Sequence, residues 1–165
     1  MPVKPNFDPD YLYFVTTKAV KHVHLFQRDV IKRIIVDSLH HLRTTGKMKL
    51  FVFVVMPNHI HLIALFSKEH TLSDVMRDFK KFTARQIYRH YQAEGNTKVL
   101  ELLRREGEMV KQEYKVWRDG YDAATCFLSN SCNRRWITST KIHASRIGNW
   151  WNHLNCICGQ RRGLL

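Results

Sequence analysis

The chain has 165 residues, 44% of them hydrophobic and 25% charged, which suits one domain with a real core, and no apolar run reaches the roughly 18 residues needed to span a bilayer. Its formal net charge of +13 points to a polyanionic partner, most simply nucleic acid. The opening Met1-Pro2-Val3-Lys4-Pro5 lacks the basic and apolar pattern of a signal peptide, so a cytoplasmic location is expected.

The aromatic and β-branched run Tyr11-Leu12-Tyr13-Phe14-Val15-Thr16-Thr17 predicts a first strand. From about Asp29 to Arg43, Val30, Ile31, Ile34, Ile35, Leu39 and Leu42 form one apolar stripe at helical spacing. Asp29 is the expected cap of that helix, and Gly46 lies just past its end. Lys49 to Met56 predicts a second strand, whose unbroken apolar centre implies burial on both faces. Pro57-Asn58 is a tight turn into a third strand, so strands two and three form a hairpin.

A second helix is predicted from about Leu72 to Tyr91, with Thr71 as N-cap and Asp74 three residues on. Leu72, Val75, Met76, Phe79, Phe82 and Ile87 make its inner side. Arg77, Lys80, Lys81, Arg85 and Arg89 fall mostly outside, as a candidate phosphate-binding stripe. After Gly95-Asn96, Lys98 to Lys111 reads as a short charged helix or loop insertion. Tyr114-Lys115-Val116-Trp117-Arg118 predicts a fourth strand, closed by Asp119-Gly120. The order β-α-β-β-α-β is that of a ferredoxin-like α+β fold, an antiparallel sheet with two helices on one face. This domain is expected over residues 1–125. An irregular, basic, poorly packed tail is expected over 126–165: no acidic residue follows Asp122, and Cys126, Cys132, Cys156 and Cys158 form no CxxC pair for zinc.

The informative stretch is Met56-Pro57-Asn58-His59-Ile60-His61-Leu62. Side chains alternate along a strand, so His59 and His61 share one face while Ile60 and Leu62 share the other. Imidazoles about 7 Å apart at the Cα level can converge on one ion. A His-X-His pair alone is a common structural feature, and its neighbours decide its meaning. His24, near the start of helix one, is the next candidate.

The stretch Val55-Met56-Pro57-Asn58-His59-Ile60-His61-Leu62 resembles the His-hydrophobic-His signature of the IS200-like tyrosine transposases, and most closely the branch associated with repetitive extragenic palindromes. Tyr13-Phe14-Val15-Thr16-Thr17 is similar to that family's opening strand, Leu72 to Lys80 to its second helix, and Val116-Trp117-Arg118-Asp119-Gly120-Tyr121 to its next landmark. The resemblance implies nicking and joining of single-stranded DNA near hairpins. It implies Mg²⁺ or Mn²⁺ held by His59 and His61, a tyrosine that forms a 5′-phosphotyrosine link, and a possible homodimer. The basic residues Arg77, Lys80, Lys81, Arg85 and Arg89 are the matching DNA-binding candidates.

One landmark is missing. Similar proteins carry the nucleophile in a Met-Asp-Tyr-Ile-His-x-Asn-Pro motif, yet the last tyrosine here is Tyr121. Tyr88, Tyr91, Tyr114 and Tyr121 are expected to serve packing. The genetic code supplies an explanation. Taking the last base of each codon with the first two of the next, from Arg135-Trp136 onward, permits Met-Asp-Tyr-Ile-His-Lys-Asn-Pro. Cys158 to Leu164 likewise permits Trp-Ser-Ala-Ala-Arg-Phe, similar to a later landmark. The reading is a single-base insertion or deletion near Ala124 to Ser129, leaving this copy without its catalytic tyrosine. Two other functions compete: a non-catalytic remnant that binds DNA hairpins, and an unrelated phosphoesterase using His59 and His61 with water as nucleophile.

Overall fold

Alternation of burial sets the sheet. In the computed structural model, which describes residues 7–126, strand β1 (Leu12–Lys18) buries Tyr13, Val15 and Thr17, and strand β3 (His59–Phe66) buries Ile60, Leu62, Ala64 and Phe66. These side chains line one face, and helices cover them. Helix α1 (Asp29–Thr44) contributes Ile31, Ile35, Leu39 and Leu42. Helix α2 (Leu72–Ala93) contributes Leu72, Val75, Met76, Phe79, Ile87, Tyr88 and Tyr91. Strands β2 (Met48–Val55) and β4 (Asp122–Cys126) complete an antiparallel sheet in the order β2-β3-β1-β4. The expected α+β order is present, with a third helix α3 (Thr97–Glu108) inserted between α2 and β4.

Four local expectations need correction. Asp29 does not cap α1: Arg28 holds the N-cap position without a side-chain bond, and Asp29 is the first helical residue, ion-paired to Lys32 at 3.0 Å. Its contribution there is charge beside the positive end of the helix. β2 is not buried on both faces. Among the described residues it pairs only with β3, with an irregularity between Leu50 and Val52, and Phe51 and Phe53 stay 58% and 38% exposed. Phe82 does not face inward, because Thr83 takes the core position and is fully buried. The fourth strand is Asp122–Cys126 rather than Tyr114–Arg118.

That last difference has a packing cause. Val116 and Trp117 are buried among the helices, and Trp117 packs on Phe26 and Phe79 with ring centroids 4.7 and 5.7 Å away. The indole N–H donates to Thr83 Oγ1 at 2.9 Å. The segment makes only an isolated bridge, Trp117 with Ala19. It reaches this position by crossing α3 at Gly107, where a Cβ would lie 2.6 Å from the Tyr114 backbone, so only glycine fits. Thr71 caps α2 as expected, accepting from Asp74 N at 3.2 Å while donating to its carboxylate at 2.7 Å. Among the described residues no helix is long and apolar enough to cross a membrane. Beyond Cys126, the expected tail, with Arg135, Trp136 and the tail cysteines, lies outside the described residues.

Candidate metal centre and nucleic-acid interface

The face of the sheet opposite the helices carries both histidines. Register places Thr16 beside His61, Lys18 beside His59, Val54 on the other side of His61, and Asp122 beyond Thr16. The two imidazole centroids are 4.7 Å apart and their planes nearly perpendicular, at 83°. Both rings are partly buried, which suits ligands that must be held yet reachable.

Each ring is held through Nδ1. His59 Nδ1 lies 2.6 Å from Asn58 Oδ1, and Asn58 Nδ2 donates to the His22 carbonyl at 3.2 Å. That carbonyl accepts only, so the amide must turn its nitrogen toward His22 and its oxygen toward His59. The oxygen in turn requires a proton on His59 Nδ1, which leaves the Nε2 lone pair outward in the neutral ring. This is the tautomer a metal ligand needs. His61 Nδ1 lies 2.8 Å from Thr16 Oγ1, and its ring stacks on Phe14, with centroids 5.3 Å apart and 18° between planes. The support beneath is rigid. The turn carbonyls Pro57 O and Asn58 O accept from Phe26 N and Ala19 N, each at 2.8 Å. Lys21 and His22, at φ 48° and 56°, adopt the left-handed conformation next to the His22 carbonyl.

Electrostatics keep the pair neutral. Burial pushes His61 down to about 4, helped by His59 and Lys18. Burial, Lys18 and His22 lower His59 in the same direction. Lys18 is itself paired with Asp122 at 3.0 Å. Two neutral imidazoles, each engaged through Nδ1, keep their Nε2 atoms for a divalent cation of borderline character. Among the described residues no cluster of three or more His, Cys, Asp or Glu converges here.

The basic candidates sit on α2, on the opposite side of the sheet. Arg77 is ion-paired with Asp74 at 3.0 Å and Asp78 at 3.3 Å. Lys80 donates to the carbonyls of Arg118 and Gly120, binding the turn that leads into β4. Burial lowers its ammonium to about 8, opposed by Asp119 and Asp122. Lys81, Arg85 and Arg89 are exposed. His24 is exposed and His22 is the histidine that approaches the pair. Asn58, Thr16, Phe14, Lys18 and Asp122 are site residues that sequence reading missed. Strand alternation could have found Thr16 and Lys18, but nothing in the sequence announces that His22 orients Asn58.

A family profile described as IS200-like transposase matches residues 11–135. The chain therefore belongs to the IS200-like transposase family. Solved structures agree on the fold. One is a REP-associated tyrosine transposase bound to a REP hairpin, at 12% identity and TM-score 0.53, covering 78% of this chain. This chain spans 64% of the length of that protein. Another, solved as a candidate transposase of Deinococcus radiodurans R1, gives 15% identity and TM-score 0.53, covering 94% of this chain and 97% of the other. No curated protein matches the chain.

Proposed function

We propose that this chain binds single-stranded or hairpin DNA through a divalent-metal centre at His59 and His61, and that it lacks the tyrosine needed to cut and join. Family members generally use a divalent metal, and a structural neighbour was solved on a REP hairpin. Mg²⁺ or Mn²⁺, when bound, would polarise a phosphodiester. The chain's own residues do the rest. Asn58 and Thr16 orient the rings, Phe14 supports His61, and Lys18 places a cation where a phosphate would lie. Lys81, Arg85 and Arg89 offer backbone contacts on the helix side.

The carrying observation is the placement of the six tyrosines, all between Tyr11 and Tyr121. Tyr13, Tyr88 and Tyr91 are buried. Tyr91 donates to Leu25 O at 3.0 Å, Tyr114 stacks on Tyr88, and Tyr121 bonds Ser73 at 2.8 Å. Tyr11 precedes β1 at the end remote from Lys18, roughly 23 Å along the strand from the His59 register. The histidines themselves are contacted by Asn58, Thr16 and Phe14.

The missing nucleophile belongs, in this reading, to the other frame. The alternate-frame motif opens at the Arg135–Trp136 junction. The test uses a hairpin oligonucleotide with Mn²⁺, analysed before and after denaturation. The chain as it stands should retard the DNA natively and leave no covalent adduct. A version with one base changed in number between codons 124 and 129, restoring the other frame, should form one. An adduct with the unaltered chain, or none with the restored version, would refute the reading. Cleavage without an adduct would instead favour water as the nucleophile. A homodimer, a family feature, is read in the same samples by light scattering.

A further inference from the structure

We infer that a cleft on the helix side, between Phe82 and Tyr114, receives one unpaired base of a DNA strand. The cleft is about 290 Å³ and is lined by Asp78, Lys81, Phe82, Arg85 and Tyr114. It lies on α2, on the other side of the sheet from the histidines, and it is not needed to hold the metal.

Its aromatic wall is built in advance. Tyr114 lies flat on Tyr88, with centroids 3.9 Å apart and 4° between planes. Tyr88 is fixed in turn, since its hydroxyl accepts from Arg104 Nε at 2.8 Å. One face of the Tyr114 ring is thus used, and the ring cannot turn freely. Phe82 remains 43% exposed because Thr83 serves the core instead. A large apolar ring left out on an otherwise amphipathic helix needs a reason.

The rim carries the complementary charge. Lys81 and Arg85 are exposed and have no ion-pair partner among the described residues, nor does neighbouring Arg89. Aromatic surface alone would accept any flat apolar group, and cations alone any anion. Together, in one cleft, they match a base with its attached phosphate. Paired DNA presents no free base face, so the ligand is an unpaired nucleotide. Asp78 on the wall is already ion-paired with Arg77 at 3.3 Å and Lys47 at 3.5 Å, so recognition in the cleft rests on its rings and cations.

The inference rests on the reading that the chain binds DNA, and its test separates the two. A labelled single-stranded octamer with a central guanine, and the same octamer with an abasic site there, are titrated by fluorescence anisotropy in the presence of Mn²⁺. Wild-type protein should lose about tenfold in affinity with the abasic strand. Phe82→Ala, at an exposed position, should lose about as much with the intact strand and show no further loss with the abasic one. Binding indifferent to both Phe82→Ala and the abasic site overturns the slot and leaves DNA binding standing. Failure of wild type to bind either strand overturns both.

Discussion

At the scale of single residues, the site turns on which nitrogen each histidine offers. Asn58 forces the proton of His59 onto Nδ1 because its own amide is oriented by the His22 carbonyl. Asn58→Ala should weaken Mn²⁺ binding by roughly 10- to 100-fold, the usual cost of losing such a partner. Asn58→Asp, which keeps an acceptor for Nδ1–H, should retain most of it. Isothermal titration decides, and equal affinities for wild type and Asn58→Ala would remove the role. The depressed histidines also make a pH prediction for the metal-free protein. His61 sits at about 4 when folded against about 6.5 for an ordinary histidine. Between those values the unfolded chain binds more protons, so stability is full above the upper value and falls as pH drops toward the lower one. The Tm should decline across this window, and less steeply in His61→Phe. Identical slopes would count against it.

Among the elements, legibility followed local pattern. The strand bearing His59 and His61 could be read because alternation assigns each side chain a face without tertiary information. The Thr71 cap could be read for the same reason, its partner being three residues away. The fourth strand could not. Tyr114 to Arg118 has the stronger strand composition, yet its Trp117 is claimed by Phe26, Phe79 and Thr83. Asp122–Cys126 has small, weak strand formers, and pairs with β1 because the sheet leaves that edge open. Phe82 was misplaced by the same local logic: helical spacing admitted it to the stripe, but the Trp117 indole needed a hydroxyl at Thr83. Thr83→Val should leave that buried N–H without a partner and cost about 1–3 kcal/mol in urea unfolding. A change within a few tenths of a kcal/mol of zero would show that the bond contributes little.

In the whole molecule, the sheet separates two chemistries. The histidine pair, with Lys18 and Asp122, occupies the uncovered face, and the basic stretch of α2 with its aromatic cleft occupies the covered side. The family profile spans both. The ferredoxin-like order already put both helices on one face of the sheet and left the other open; what the sequence could not convey is that Thr83 rather than Phe82 faces the core, which leaves the aromatic cleft on the outside of α2. The reading of this chain depends on the histidines acting together as a metal ligand pair. The direct measurement is a Mn²⁺ titration followed by electron paramagnetic resonance, on the wild-type chain and on His59→Ala/His61→Ala. Saturable binding by wild type that disappears in the double variant is expected. Undiminished binding by the double variant, or none by the wild type, would contradict it.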